Sequence, residues 1–260
     1  MGVKTELFDL SGRVALLTGA SKGMGLSMAE GLAEHGARVV VSSRKLDQCE
    51  TACDQINAKC GDGSATPIVC NIGYKEQLER LVRETRAQLG AIDILICNAG
   101  VNPFYGPMSE IPDEAYDKIM NANVRSNHWL CQMVAPDMVA SGRGSMMITS
   151  STGAFAGSEA LGTYAISKLA DIALVRNLAL EYGPKGVRVN AICPGLIRTD
   201  FAKALWDNPE AKRNAETTTP MRRLGESDDF KGIAVFLASD ASEYMTGQAV
   251  AVCGGTHMWR

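Results

Sequence analysis

The sequence has little of what a metal site or a disulfide scaffold would require. Its 260 residues include only three histidines, His35, His128 and His257, which lie far apart. None of the eight cysteines belongs to a C-x-x-C pair, and several, such as Cys97 and Cys193, lie within apolar runs. We interpret the cysteines as buried, reduced thiols. Neither a metal ion nor a Ser-His-Asp triad is therefore expected in the chemistry.

Other absences narrow the range of partners. The net charge is −3, with 26 basic and 29 acidic residues, so neither nucleic acid nor an anionic membrane is expected as the main partner. No apolar run approaches the roughly 18 residues of a membrane-spanning helix. Residues 1–12 do not combine a charged start with an apolar stretch, as a secretory signal would. From these absences we expect a cytoplasmic protein. Since 46 % of the residues are hydrophobic, we also expect a large core.

Short apolar runs alternate with segments of helical periodicity along the whole chain. Strands are predicted at 14–17, 38–42, 66–70, 92–97, 145–149, 187–192 and 249–252. Helices are predicted at 24–35, 46–60, 75–89, 113–140, 164–182 and 228–237. Because the strands are near-continuous apolar runs, we expect one doubly wound, Rossmann-like α/β domain over residues 1–260, with about seven parallel strands and helices on both faces. The long segment 199–219 is interpreted as a lid.

A glycine-rich turn joins the first predicted strand to the first predicted helix. Glycine permits a tight turn and lets the backbone approach a pyrophosphate, and the helix N-terminus offers N–H groups and a partial positive charge. The pattern predicts a dinucleotide site, with an ordinary tight turn as the alternative. The residues assigned to this site are Gly19, Ser21, Lys22, Gly23 and Met24.

The end of the second strand indicates which dinucleotide binds. An acidic residue there would bond the ribose 2′-hydroxyl of NAD, but segment 42–45 reads Ser-Ser-Arg-Lys. The planar guanidinium of Arg44 can pair with the 2′-phosphate of NADP, and Lys22 can reach the same phosphate. We therefore predict NADP(H), the alternative being two solvated surface cations.

A second group of residues can carry acid–base chemistry. Tyr164 and Lys168 lie four residues apart and share a helix face. Ser151 follows the predicted strand 145–149, and ligands bind at the carboxyl ends of strands in doubly wound sheets. Ser150 is the alternative hydroxyl at this position.

These motifs together resemble the short-chain dehydrogenase/reductase (SDR) family over nearly the whole chain. The resemblance lies in Thr18-Gly19-x-x-x-Gly23-x-Gly25, Asn98-Ala99-Gly100, Asn123, Ser151, Tyr164-x-x-x-Lys168 and Pro194-Gly195. It implies an oxidoreductase that interconverts a ketone or aldehyde and an alcohol, assembled as a homotetramer or else a homodimer. Parts of the second half are similar to carbonyl-reductase-type members and also to reductases of 3-oxoacyl chains.

The resemblance also implies a role for each catalytic residue. Tyr164 exchanges a proton with the substrate oxygen, and Ser151 donates a hydrogen bond to that oxygen. Lys168 lowers the pKa of Tyr164 and bonds the nicotinamide ribose. Asn123, in preference to Asn121, holds a water in a proton relay to Lys168.

Further cofactor contacts follow from the same resemblance. Besides Tyr164 and Lys168, they are assigned to Asn71, Ile72, Asn98, Ala99, Gly100, Pro194, Gly195, Ile197 and Thr199. Asn71 stands where the family usually has aspartate, and its carboxamide oxygen can still accept a bond from the adenine amino group. Cys253 replaces the aspartate of a common Asp-Gly-Gly, which leaves the catalytic prediction unchanged.

The predicted substrate pocket is mostly apolar, which favours a hydrophobic or aromatic carbonyl compound. Its expected lining is Val101, Phe104, Tyr105, Phe155, Leu196, Phe201, Leu205 and Trp206. The alternative is that the last three side chains pack a lid helix. Three functions stay open: an NADP(H)-dependent carbonyl reductase or alcohol dehydrogenase, a 3-oxoacyl thioester reductase, and a non-catalytic nucleotide-binding protein on the same fold. The complete Ser151, Tyr164 and Lys168 set favours an enzyme.

Overall fold

Seven parallel strands form the central sheet of the protein. The computed structural model describes residues 6–207 and 209–258. The strands are β1 (Val14–Thr18), β2 (Arg38–Ser42), β3 (Ala65–Pro67), β4 (Ile94–Cys97), β5 (Gly144–Thr149), β6 (Val187–Pro194) and β7 (Ala249–Val252). Their order is β3-β2-β1-β4-β5-β6-β7, which confirms the predicted Rossmann-like sheet. Chain progression reverses direction between β1 and β4, where such sheets bind ligands.

Helices cover both faces of the sheet because every central strand buries both of its sides. Leu17, Val41 and Ile96 point into one core, which packs against α1 (Gly23–Glu34), α2 (Leu46–Cys60) and α9 (Lys231–Ala238). Their neighbours Leu16, Val40 and Leu95 point into the other core, which packs against α3 (Lys75–Leu89), α5 (Ser126–Ser141) and α6 (Gly162–Tyr182). The remaining helices are α4 (Asp113–Met120), α7 (Lys203–Trp206) and α8 (Pro209–Thr218).

The predicted helix 113–140 is interrupted at its middle. α4 and α5 are joined by one π-helical turn, Asn121–Arg125. In this turn Ser126 Oγ donates to the Ala122 carbonyl at 2.6 Å, and Asn127 Nδ2 donates to the Asn123 carbonyl at 2.5 Å. Side chains thus bond main-chain carbonyls here and compete with the helical hydrogen bonds to them. The apolar periodicity of the sequence does not reveal this competition, so a π-helical turn was not predicted.

Two further boundaries differ from the prediction. The third strand ends at Pro67, which has no N–H for a ladder, although Ile68 and Cys70 still donate to the chain of β2. The predicted lid, 199–219, contains α7 and α8, and its residue Asn208 lies outside the described residues. Proline at the first position of α8 is a helix-start signal that the sequence prediction left unused.

The structure bears on two further expectations, the burial of the cysteines and the lack of a membrane-spanning helix. All eight cysteines are free, and all but Cys60 and Cys253 are buried, as predicted. Within the described ranges, no helix combines the length and apolarity that crossing a bilayer requires.

Candidate active site

The carboxyl ends of β1, β4 and β5 are tied together by one side chain. Asn98 Nδ2 donates to the Gly19 carbonyl at 2.9 Å, and Asn98 Oδ1 accepts from Thr149 Oγ1 at 3.3 Å. The Asn98 main-chain N–H also donates to Thr18 Oγ1 at 3.2 Å. The segment predicted to support the central sheet therefore fixes the edge of the sheet at which the strand order reverses.

The glycine turn leaves no room for larger residues. Gly19 has a φ of 62°, and a Cβ on it would lie 2.8 Å from the Ala99 Cα. A Cβ on Gly25 would overlap the Gly19 carbonyl oxygen. Both glycines are therefore required by close packing between the turn, α1 and the end of β4.

The start of α1 provides a cradle that fits a pyrophosphate. Lys22, the residue before the helix, has an extended backbone, and its side chain does not cap the first turn. The first N–H groups of α1 are thus left for a ligand. Thr199 lies opposite, since a Cβ on Gly23 would be 3.4 Å from its Cγ2. The predicted pairing of Thr199 with the phosphate end of the site is consistent with this placement.

The two predicted phosphate-binding cations differ in their surroundings. Arg44 is exposed and lies two residues after the end of β2 and two residues before the start of α2. Lys22 instead forms an ion pair with Asp200 of the lid, with 2.7 Å between Nζ and Oδ2, and both side chains are exposed. The lysine lowers the pKa of Asp200 by a hydrogen bond and by its charge. In this structure Lys22 therefore bridges the turn and the lid.

At the adenine end of the predicted site, Asn71 makes local hydrogen bonds that the sequence did not indicate. Asn71 Oδ1 accepts the Gly73 N–H at 3.1 Å, and the Asn71 N–H donates to Gln77 Oε1 at 2.8 Å. The oxygen assigned to the adenine amino group is thus already used in a local turn. A second lone pair is still free to accept that bond.

The predicted catalytic side chains lie together. Tyr164 and Lys168 share one face of α6, with Lys168 Nζ 5.8 Å from the centre of the Tyr164 ring. Ser151 hydrogen-bonds the phenol and accepts the Gly153 N–H at 3.0 Å. Ser150 is buried and donates to the Lys168 carbonyl at 2.7 Å. Ser151 is therefore the hydroxyl beside the phenol, and Ser150 fastens β5 to α6.

The pKa of Tyr164 moves against the expectation from the sequence. Burial has the largest effect and raises this pKa. The ammonium of Lys168 lowers it, as predicted, and so does a hydrogen bond from Ser151, but burial outweighs both. The phenol therefore keeps its proton at neutral pH, which suits a proton donor.

Lys168 has a partner that the sequence analysis missed. Its Nζ donates to the Thr149 carbonyl at 2.8 Å and to Asp171 Oδ2 at 3.0 Å, and both side chains are almost completely buried. Burial lowers the pKa of Lys168, but the Asp171 carboxylate, together with Tyr164 and Cys193, more than offsets this effect, so the pKa lies above its usual value. The spacing of three residues on one helix was the available signal.

Asn123 lies in the π-helical turn, with its carboxamide directed at the loop after β4. Its Oδ1 accepts the Val101 N–H at 2.8 Å, and its Nδ2 donates to the Val101 carbonyl and to Ser167 Oγ, both at 3.0 Å. A Cβ on Gly100 would be 3.4 Å from Asn123 Oδ1 and 3.7 Å from Lys168 Nζ. Asn123 and Lys168 therefore approach the same glycine, and the water relay between them stays a prediction.

Two aromatic residues of the predicted substrate pocket make ring contacts, each with a different partner. Phe201 of the lid lies 6.1 Å from the Tyr164 ring, and Phe155 stacks on His257 at 4.3 Å. Trp206 Nε1 donates to the Thr199 carbonyl at 3.1 Å, which ties α7 to the first residue of the lid. His257, which stacks on Phe155, was absent from the prediction.

The other predicted pocket residues lie in a narrow crevice, at the surface or in half-buried positions. Phe104 lines a crevice beside Tyr164, together with Met108 and Leu161, but the crevice is too narrow for a water molecule. Tyr105 is 63 % exposed. Val101, Leu196 and Leu205 are half-buried. The sequence alone did not indicate Met108 or Leu161, since neither belongs to a motif.

The sheet order and the glycine turn define a Rossmann-like fold, and the Ser-Tyr-Lys cluster lies at the carboxyl edge of its sheet. A family model described as "Enoyl-(Acyl carrier protein) reductase" matches residues 19–257. The chain is 41 % identical to Dehydrogenase/reductase SDR family member 4 of Bos taurus over 95 % of this chain and 88 % of that protein. It is 39 % identical to Dehydrogenase/reductase SDR family member 2, mitochondrial, of Homo sapiens, over 94 % and 86 %. The chain belongs to the SDR family of oxidoreductases.

Solved structures are similar over the same extent. A gluconate 5-dehydrogenase from Burkholderia cenocepacia, in complex with NADP and tartrate, has a TM-score of 0.91 and 31 % identity, covering 96 % of this chain and 97 % of that one. A 7α-hydroxysteroid dehydrogenase, complexed with NADH and 7-oxo glycochenodeoxycholic acid, has a TM-score of 0.92 and 35 % identity, covering 98 % of each chain. The fold and the family are thus shown, while the substrates of these relatives differ widely.

Proposed function

We propose that the protein interconverts a ketone or aldehyde and an alcohol by hydride transfer with NADP(H). The observation that carries the proposal is the position of the Tyr164 side chain. Its hydroxyl interacts with Ser151, and its ring centre lies 5.8 Å from Lys168 Nζ. This cluster lies at the carboxyl edge of the sheet, beside a glycine turn and a helix N-terminus that fit a dinucleotide.

The side chains divide the work of carbonyl reduction between them. When bound, a nicotinamide would supply the hydride for the carbonyl carbon. Tyr164 gives its proton to the oxygen, and Ser151 donates a hydrogen bond to the same oxygen as negative charge develops on it. Lys168 stabilises the phenolate that remains until solvent returns the proton. Alcohol oxidation follows the same steps in reverse, with Tyr164 as the base.

The choice of NADP(H) over NAD(H) is supported by residues at the end of β2. Segment 42–45 offers no acid to a ribose hydroxyl, and Arg44 is exposed. The solved relatives include one complex with NADP and one with NADH, so membership of the family leaves the choice open. To bind the 2′-phosphate, Lys22 would have to leave Asp200, its ion-pair partner in this structure. One exposed anion would then replace another.

Replacing Arg44 with alanine tests this choice. We expect KM for NADPH to rise about tenfold, because an exposed guanidinium–phosphate pair contributes roughly 1.5 kcal/mol, whereas KM for NADH stays unchanged. Lys45→Ala is the matched control, since Lys45 is the adjacent exposed cation. Equal effects of Arg44→Ala on both cofactors would refute the assignment of NADP(H).

The aromatic lining supports an apolar carbonyl substrate. Phe201 faces the Tyr164 ring, and Phe155 is stacked by His257. A panel of aryl ketones, aldehydes, 3-oxoacyl thioesters and sugar acids, followed by NADPH consumption, distinguishes the candidates. Turnover of thioesters alone would favour the acyl reductase, and NADPH binding without any turnover would favour a non-catalytic protein.

Two further expectations belong to the same proposal. Exposed apolar side chains on the outer face of α6, Ile166, Leu169 and Leu180, support assembly of copies into a homotetramer, with a homodimer as the alternative. A cytoplasmic location stays a prediction from the sequence.

A further inference from the structure

A carboxylate is buried against the catalytic lysine, where the proposed mechanism assigns it no role. Asp171 has 0 % exposure and lies on α6, three residues after Lys168. Its Oδ2 accepts from Lys168 Nζ at 3.0 Å, and its Oδ1 accepts from Asn127 Nδ2 at 3.0 Å. Burial raises the pKa of Asp171 overall, while Lys168 and Asn127 lower it. Each oxygen receives one of these two donors, which is the bonding pattern of the ionised carboxylate.

Stability alone is a weak reason for this arrangement. A buried ion pair is often no more stabilising than apolar side chains of similar volume, because both charges lose their hydration. Lys168 already has a second acceptor in the Thr149 carbonyl. The carboxylate adds a fixed negative charge beside the ammonium that acts on Tyr164.

We propose that Asp171 is a positioning residue, whose buried carboxylate holds the Lys168 ammonium in place and offsets part of the positive field that Lys168 exerts on the Tyr164 phenol. This inference rests on the proposed function, because Asp171 acts only through Lys168 and Tyr164. It makes the Tyr164 phenol a weaker acid, and its phenolate a stronger base, than they would be in a lone tyrosine–lysine pair.

The other ionisable groups that face this cluster are thiols on neighbouring elements. They are Cys97 on β4, which hydrogen-bonds Cys131 on α5, and Cys193 on β6. The hydrogen bond with Cys131, together with burial, raises the pKa of Cys97, and burial raises that of Cys193 to about 11. Both therefore stay neutral at physiological pH, so they do not substitute for the charge of Asp171.

The direction of the effect follows from the charges. The carboxylate raises the pKa of Tyr164 and that of Lys168 alike. Because the two groups are coupled, removing the carboxylate makes the pair lose its first proton at lower pH. If Tyr164 loses that proton, tyrosinate appears at lower pH; if Lys168 loses it, no tyrosinate appears.

The test is an ultraviolet titration of tyrosinate in the protein without added cofactor. Asp171→Asn is compared with the wild-type protein, and Tyr164→Phe in each background is subtracted to isolate Tyr164. We expect the midpoint of Tyr164 to fall by about one pH unit, a tenfold change in its ionisation constant. Glu79→Gln, which removes an exposed acid on α3, should leave the midpoint in place.

Turnover gives the second readout. The acid limb of alcohol oxidation should move to lower pH in Asp171→Asn, and Asp171→Glu should restore the wild-type profile. If Asp171→Asn does not fold, Asp171→Ser leaves space for a water between Lys168 and Asn127 and serves in its place. An unmoved Tyr164 midpoint in a folded variant overturns this inference while the proposed function stands. Normal turnover by Tyr164→Phe overturns the proposed function itself.

Discussion

Tyr164→Phe should lower kcat for carbonyl reduction by about 10²–10⁴-fold, the range that a positioned proton donor supplies. The ring remains, so its contact with Phe201 and the packing of α6 are kept. Only the hydroxyl that Ser151 bonds is lost. Steady-state kinetics with NADPH and a ketone that the wild-type protein turns over measure the effect.

Two comparisons make this prediction specific. NADPH affinity, followed by cofactor fluorescence, should stay close to the wild-type value, because Tyr164 is only one of many assigned cofactor contacts and the phosphate cradle lies at the glycine turn. Tyr244→Phe is the matched control, since Tyr244 is fully exposed and belongs to none of the site motifs. A Tyr164→Phe variant with near-normal kcat would show that another group donates the proton.

Lys168→Met should cost about 3–5 kcal/mol in free energy of unfolding and abolish most activity. Methionine fills much of the same space, but Asp171 then stays in the core as an unpaired charge. Urea unfolding at pH 7 measures the loss. The double variant Lys168→Met with Asp171→Leu should regain most of the stability and none of the activity, because both charges are gone.

The pH dependence of this destabilisation has a definite sign. Burial raises the pKa of Asp171, and without Lys168 nothing among its described partners but Asn127 lowers it. The folded variant then binds a proton that the unfolded chain releases, so its stability increases as the pH falls towards the ordinary carboxyl range. The deficit relative to wild type should therefore shrink in acid. A deficit below about 1 kcal/mol at pH 7 would contradict the buried ion pair.

The sheet and the catalytic cluster could be predicted because local patterns determine them. Continuous apolar runs locate the strands, and the spacing from Ser151 to Tyr164 and Lys168 follows from one strand end and one helix face. The preference for Ser151 over Ser150 rested on the same spacing, and the structure has Ser150 turned into the core.

What the sequence did not indicate depends on contacts between distant segments. The Lys22–Asp200 pair joins the glycine turn to the lid, and its two residues lie 178 positions apart. The π-helical turn around Asn123 depends on side chains that bond carbonyls and on a loop from another strand. The raised pKa of Tyr164 reflects how far the fold buries the phenol, which no motif records.

Transfer of deuterium from cofactor to product tests the central claim most directly. The protein is mixed with NADPH that carries two deuterium atoms at the nicotinamide C4 and with each carbonyl compound of the panel, and the products are analysed by mass spectrometry. The account predicts one deuterium at the carbinol carbon of a reduced aryl ketone or aldehyde, and none in the Tyr164→Phe reaction over the same time. Bound, labelled NADPH that passes no deuterium to any compound of the panel would contradict it.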